Sequence, residues 1–138
     1  MLFRSLLAAV ALGAARASVD DAIDWAKVRT AFGQPIWNYQ GVSFVLVDLE
    51  STIETIRLLL WETVTSLPRL TDVRSIEDAV GRTVARAGAV ATDAGREAVN
   101  VLGVHGIVTD HPVERWYRGA AALSAIDFDP LAVALEVK

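Results

Sequence analysis

From Arg29 to Gln40 the chain reads RTAFGQPIWNYQ, a connection that carries an arginine, a phenylalanine, a tryptophan, a tyrosine and a closing glutamine. A turn between helices needs a glycine and a few polar residues, so this stretch reads as a surface that receives something. Arg29 is a candidate ligand for phosphate or pyrophosphate, because a guanidinium forks onto two oxygens. It is equally a last-turn arginine favoured by the helix dipole. Further on, the glycines of GVHG (Gly103–Gly106) either expose backbone amides or simply make a turn. His105 and His111 are the chain's imidazoles, and with no cysteine beside them they fit structural or solvent-exposed roles better than a metal site. The sequence has no phosphate-cradling G-x-x-x-x-G-K, no G-x-G-x-x-G after a strand, no HExxH and no G-x-S-x-G.

The elements that must position these residues are helical. Apolar residues recur at three- and four-residue steps, and no stretch alternates with a period of two. The spacing predicts helices over about 3–31, 40–67, 75–102 and 112–125, joined by short connections into one antiparallel four-helix bundle of the all-α class. Gly33 suits the left-handed position after the first helix, and Pro35 prevents resumption. Asp20, Asp21, Asp24 and Lys27 are expected toward solvent. Ser75-Ile-Glu-Asp78 has the form of a capping box at the start of the third helix. Gly81, Gly88 and Gly95 recur at one-heptad spacing on one helix face and predict a close helix–helix contact. Asp110 or His111 caps the fourth helix with Pro112 in its first turn. The tail, Asp127-Phe-Asp-Pro130 and LAVALEVK, is a candidate short final helix.

Composition narrows the classes further. At 138 residues the chain is one domain, and 53% apolar content implies tight packing or partners that cover apolar surface. A net charge of −4 with scattered acids and bases argues against nucleic acid and against an electrostatic membrane anchor. MLFRSLLAAVALGAARAS has the outline of a secretory signal, but Arg16 stands in the A-x-A site and Val19, Ala22, Ile23 and Ala26 continue the helical spacing, so a helix is expected there. The apolar run is too short to span a bilayer.

Read together, ALGAARASVDDAIDWAKVRTAFGQPIWNYQGVSFVLVDLESTIETIRLLL and EAVNVLGVHGIVTDHPVERWYRGAA resemble the C-terminal helical domain of the acyl-CoA dehydrogenase family. The family has an R-x-x-F-G-x-P-I block with a glutamine seven residues after its glycine, then a Gln-x-x-Gly-Gly-x-Gly turn leading to P-V-E-R-x-x-R-D. The resemblance covers about Arg4 to Ile126. It implies an FAD flavoprotein that oxidises an acyl-CoA thioester to its 2,3-enoyl form, a carboxylate taking the α-proton while the β-hydrogen leaves as hydride. Arg29 then matches the residue that binds the FAD pyrophosphate of a neighbouring subunit, and Phe32 and Gln40 match residues lining the same dinucleotide. Asn100, Gly103, Val104 and Gly106 fall at the turn beside FAD. The resemblance further implies dimers or tetramers, an electron-transfer flavoprotein as acceptor, and a cytoplasmic location (mitochondrial matrix if eukaryotic).

Three departures stand out. Asn100 replaces the usual glutamine, and Val104 replaces the second glycine, adding a Cβ where backbone approaches the cofactor. The catalytic Glu of Tyr-Glu-Gly-Thr falls on Asp127, one methylene shorter and without the Gly-Thr; its bland reading is a turn aspartate. The family's N-terminal helical and middle β-domains have no counterpart in these residues, so the chain by itself is not expected to catalyse. A second expectation is a non-catalytic, dehydrogenase-like partner subunit that supplies FAD-binding and oligomer surface. A third is an unrelated apolar bundle acting as an interaction module.

Overall fold

The computed structural model describes residues 2–123. The candidate final helix, and Asp127 with it, lie outside the described residues. Four helices form the bundle: α1 (Leu2–Val28), α2 (Gln40–Ser66), α3 (Val73–Leu102) and α4 (Val113–Leu123). A two-residue antiparallel hairpin, β1 (Thr30–Ala31) with β2 (Gln34–Pro35), follows α1, and short 3-10 turns span Ile36–Asn38, Leu67–Arg69 and Gly103–Gly106.

Small side chains set the packing. Ala8, Ala11, Ala15, Ala22 and Ala26 of α1 are fully buried, and α3 buries Gly81, Ala87, Gly88, Ala91, Ala94, Gly95 and Ala98. With so little volume between them the two backbones approach closely, and α1 and α3 share the most extensive interface in the bundle. The three heptad-spaced glycines therefore lie inside the bundle. Gly95 receives α4: a Cβ there would lie 3.1 Å from the Tyr117 Cα. Larger residues fill the remaining space as two cores. One gathers Leu7, Leu12, Val19, Ile53, Ile56, Val80 and Val84; the other gathers Leu46, Leu102 and Val113 with Ile36 and the half-buried Trp25, Trp37 and Trp116. A buried hydrogen bond of 2.8 Å joins the Thr63 and Thr83 hydroxyls between α2 and α3.

On the surface Arg16 reaches across from α1 to Glu54 at 3.0 Å and Glu50 at 3.5 Å, and Arg57 pairs with Glu54 at 2.7 Å. The Arg57 hydrogen bond holds the Glu54 carboxyl below its ordinary value. Exposed pairs of this kind contribute only about 0–1 kcal/mol, so apolar burial, not charge pairing, holds the bundle.

Two boundaries differ from the sequence reading. The first helix stops at Val28, not Ala31. The Arg29 amide still donates to the Trp25 carbonyl at 2.9 Å, but the Arg29 carbonyl accepts from Ile36 at 2.8 Å and closes the hairpin. Gly33 is left-handed, φ 86°, as a hairpin-turn residue and not as a helix cap. The third helix starts at Val73, where the Asp72 carboxylate accepts from the Ser75 amide at 2.9 Å and the Ser75 hydroxyl at 2.8 Å. Ser75 is thus the donor to an upstream cap and not the cap itself, and these bonds keep the Asp72 carboxyl below its ordinary value.

Candidate functional site: one end of the bundle

Because the helices run antiparallel, the C-termini of α1 and α3 and the N-termini of α2 and α4 meet at one end, over the tryptophan-bearing core. Every described residue that the sequence singled out for ligand contact lies on this end.

The hairpin presents its parts outward. Its two-residue loop is Phe32-Gly33, with φ 51° and 86°. Two positive φ values define a type I′ turn, whose preferred first residue is Asn, Asp or Gly. A phenylalanine in that conformation costs about 1–2 kcal/mol, and none of it is returned by packing, because Phe32 is 98% exposed. Arg29 is exposed as well, and among the described residues its guanidinium makes no hydrogen bond or ion pair. Lys27 is held nearby, its Nζ 5.8 Å above the Trp37 ring. The Tyr39 hydroxyl donates to the Ala31 carbonyl at 2.9 Å and ties the hairpin to the start of α2. Tyr39 occupies the N-cap of α2 without a side-chain cap, and its carbonyl accepts from Val42 and Ser43. That leaves the Gln40 and Gly41 amides at the positive end of a long helix for solvent or a ligand. The Gln40 side chain is exposed beside them.

The glycine turn is the second part. Gly103, φ 61°, reverses the chain after α3. Gly106 is pressed against α3; a Cβ there would lie 2.8 Å from the Val99 Cα and 2.9 Å from its carbonyl oxygen, so the site admits glycine alone. Val104 is 72% exposed. The Asn100 side-chain amide donates to Glu97 at 3.2 Å.

Between hairpin and turn lies a group that sequence reasoning missed. The Trp25 ring is 4.7 Å from the His105 ring and 5.2 Å from the His111 ring, and the two imidazoles are 5.9 Å apart. Asp21, one turn earlier on α1, was expected in solvent; its Oδ2 is instead buried and has no hydrogen-bond partner among the described residues. Burial raises the Asp21 pKa, with His111 lowering it in part and Asp24 adding to the rise. No local pattern marks these residues as neighbours. Among the described residues, no cluster of three or more His, Cys, Asp or Glu is arranged to hold a metal ion, and no helix is long and apolar enough to cross a membrane.

The chain resembles known proteins along most of its length. A family model described as acyl-CoA dehydrogenase, C-terminal domain, matches residues 1–127. The chain is 37% identical over 117 residues to the mitochondrial short-chain specific acyl-CoA dehydrogenase of Mus musculus, covering 83% of this chain and 27% of that protein. It is 34% identical over 113 residues to 3-sulfinopropanoyl-CoA desulfinase of Paraburkholderia xenovorans, covering 82% of this chain and 28% of the relative. The solved structure of butyryl-CoA dehydrogenase from Megasphaera elsdenii superposes with a TM-score of 0.87 at 28% identity, over 96% of this chain and 34% of that one. This chain belongs to the acyl-CoA dehydrogenase family, as its C-terminal helical domain. It spans between a quarter and a third of the length of these relatives.

Proposed function

We propose that this domain serves an FAD-dependent acyl-CoA dehydrogenase that oxidises an acyl-CoA thioester to the 2,3-enoyl-CoA, and that its part is to bind the nucleotide half of FAD. The observation that carries the reading is the hairpin, with a guanidinium unpaired among the described residues and an almost fully exposed ring in a strained conformation beside a helix N-terminus without a side-chain cap. Among the described residues, no packing or pairing offsets the strain at Phe32 or the free charge at Arg29. A pyrophosphate joined to a flat heteroaromatic base would use each part of it.

The residues fit the group unevenly. Arg29 supplies a forked, permanently charged donor for phosphate oxygens. Phe32 offers a ring face to a base, and the Gln40 side chain with the first α2 amides offers donors. The fit is poorer on the α3 side, where Glu97 holds the Asn100 amide and Val104 carries a side chain in place of a glycine. Gly103, Val104 and Gly106 are assigned to the turn beside the cofactor on the family resemblance. Held there, FAD would supply the hydride acceptor for the substrate β-carbon. Of this chain's own carboxylates Asp127 is assigned the α-proton. In the same reading the nucleotide belongs to an adjacent subunit of a dimer or tetramer, an electron-transfer flavoprotein takes the electrons, and the enzyme is cytoplasmic or, in a eukaryote, in the mitochondrial matrix.

A second reading is a non-catalytic partner subunit that lends this surface to a competent neighbour. It is favoured by the aspartate at 127 where the family carries Glu-Gly-Thr. Anaerobic titration of the purified, flavin-loaded protein that contains this domain with butyryl-CoA and longer acyl-CoA thioesters separates the two. Bleaching of the oxidised flavin band, lost in Asp127→Asn, is the expected result. Flavin that stays oxidised with every thioester sinks the catalytic assignment, and a protein that takes up no flavin sinks both readings.

A further inference from the structure

The loop from Gly103 to Pro112 has little of its own to hold it in place. Val104, Ile107, Val108, Thr109 and Asp110 are exposed, and its backbone bonds Ile107 N to Val104 O and His111 N to Val108 O are long, 3.3 and 3.4 Å. On the α3 side, Gly106 rests on Val99. On the α1 side the contact is aromatic: the rings of His105 and His111 lie 4.7 and 5.2 Å from Trp25 and 5.9 Å from each other, closing a triangle. Those separations lie in the range where rings attract, and the tilted and edge-on angles are favourable ones. Trp25 also has a second connection, since its carbonyl accepts the Arg29 amide at 2.9 Å where the hairpin begins. One residue of α1 therefore touches both halves of the site.

We infer that Trp25, His105 and His111 are positioning residues that clamp the glycine turn to α1 and so set its place relative to the Arg29 hairpin. That the two halves face one dinucleotide rests on the function proposed above; the clamp itself does not. A left-handed Gly103 lets the chain reverse but does not choose where the turn lands. The rings choose. With the clamp broken the turn leaves its docked position for part of the time, and a ligand that needs turn and hairpin together binds the docked fraction alone. Its apparent Kd rises as the inverse of that fraction, about tenfold if roughly a tenth of the molecules stay docked.

The test uses the purified protein that contains this domain, amide hydrogen exchange, and FAD as the probe ligand. His105→Ala is the first variant, because His105 is exposed and its loss leaves the cores intact. His105→Phe and Trp25→Phe keep a ring, and Trp25→Ala removes the centre of the triangle. The expected result is faster exchange over residues 104–111 in both alanine variants, unchanged protection in α2, near-normal exchange in both phenylalanine variants, and weaker FAD binding that tracks the exchange. Turn exchange that does not change in His105→Ala, or protection lost equally from all helices, or no rescue by phenylalanine, overturns the clamp. FAD affinity unchanged in His105→Ala despite a loosened turn overturns the positioning role. If the unsubstituted protein that contains this domain binds no FAD, the nucleotide reading fails, and the clamp is decided by exchange and rescue.

Discussion

The core around Val19, Ile53 and Val84 is made of aliphatic residues interleaved with alanine and glycine, while the core around Leu46 and Leu102 is roofed by Trp25, Trp37 and Trp116. Beside the first, exposed charges find partners: Arg16 and Arg57 on Glu54, with Asp20 and Glu50 close by. Beside the second and among the described residues, Arg29 has no side-chain partner, an Asp21 oxygen is buried unbonded, and Phe32 is strained and bare. One region is satisfied by its own chain. The other holds groups whose cost is not recovered among the described residues, the pattern that the proposed binding role calls for. The four helix ends explain why the difference falls where it does. Helix interiors satisfy their own backbone, whereas termini leave amides and carbonyls over.

Three substitutions can break this comparison. The largest effect belongs to the scaffold under the site. Leu46 is fully buried in the tryptophan-bearing core, so Leu46→Ala should destabilise the chain by about 3–5 kcal/mol, read as a fall in the urea midpoint. A loss under about 1 kcal/mol would mean that the second core is not packed like an interior. Next comes the strained turn. Phe32→Asn places an Asn-Gly pair, the preferred type I′ sequence, in the hairpin and should stabilise the chain by about 1 kcal/mol while weakening FAD binding. Stability and affinity moving in the same direction would show that the ring serves the fold and not a ligand.

The smallest effect tests the buried carboxyl. Burial first, then Asp24, raises the folded-state pKa of Asp21, against an opposing effect of His111. A raised carboxyl contributes its stability below its unfolded value and loses it as pH rises through the folded value, so at pH 7 ionised Asp21 is a cost. Because the residue is only partly buried, Asp21→Asn should gain at most about 1 kcal/mol at neutral pH. The gain should vanish once acid protonates Asp21 in the parent. Glu54 and Glu114 behave oppositely: hydrogen bonds from Arg57 and Arg118 lower their values, and what they contribute is lost as pH falls. Thermal melts of parent and variant at neutral and acid pH separate the two cases. A gain that persists in acid would remove burial as the cause.

Much of the bundle could be read directly. The helical spacing along α2, with Ile53 and Ile56 three residues apart and both buried, the stop at Pro68 and the glycine-bearing break before α4 are local signals, and the structure follows them. The hairpin was missed because a two-residue strand pair has no periodicity to show; Gly33 carried the left-handed signal but not the element it serves. Within the site, Arg29, Phe32 and Gln40 were identifiable because they sit in one continuous motif. Trp25, His105 and His111 were not, since nothing in the residues around Trp25 says that a turn after α3 will land on its ring.

The sequence by itself determined the all-α class, the family, and the short stretch that gathers Arg29, Phe32 and Gln40, because periodicity, turn residues and motif spacing act over a few neighbouring positions. The tertiary structure alone decided that Phe32 is strained and bare, that Gly95 admits Tyr117, that Asp21 is buried, and that two imidazoles close on Trp25. Those facts depend on how helix ends far apart in the chain are brought together. Packing between α1 and α3 fixes that, and no local run of residues encodes it.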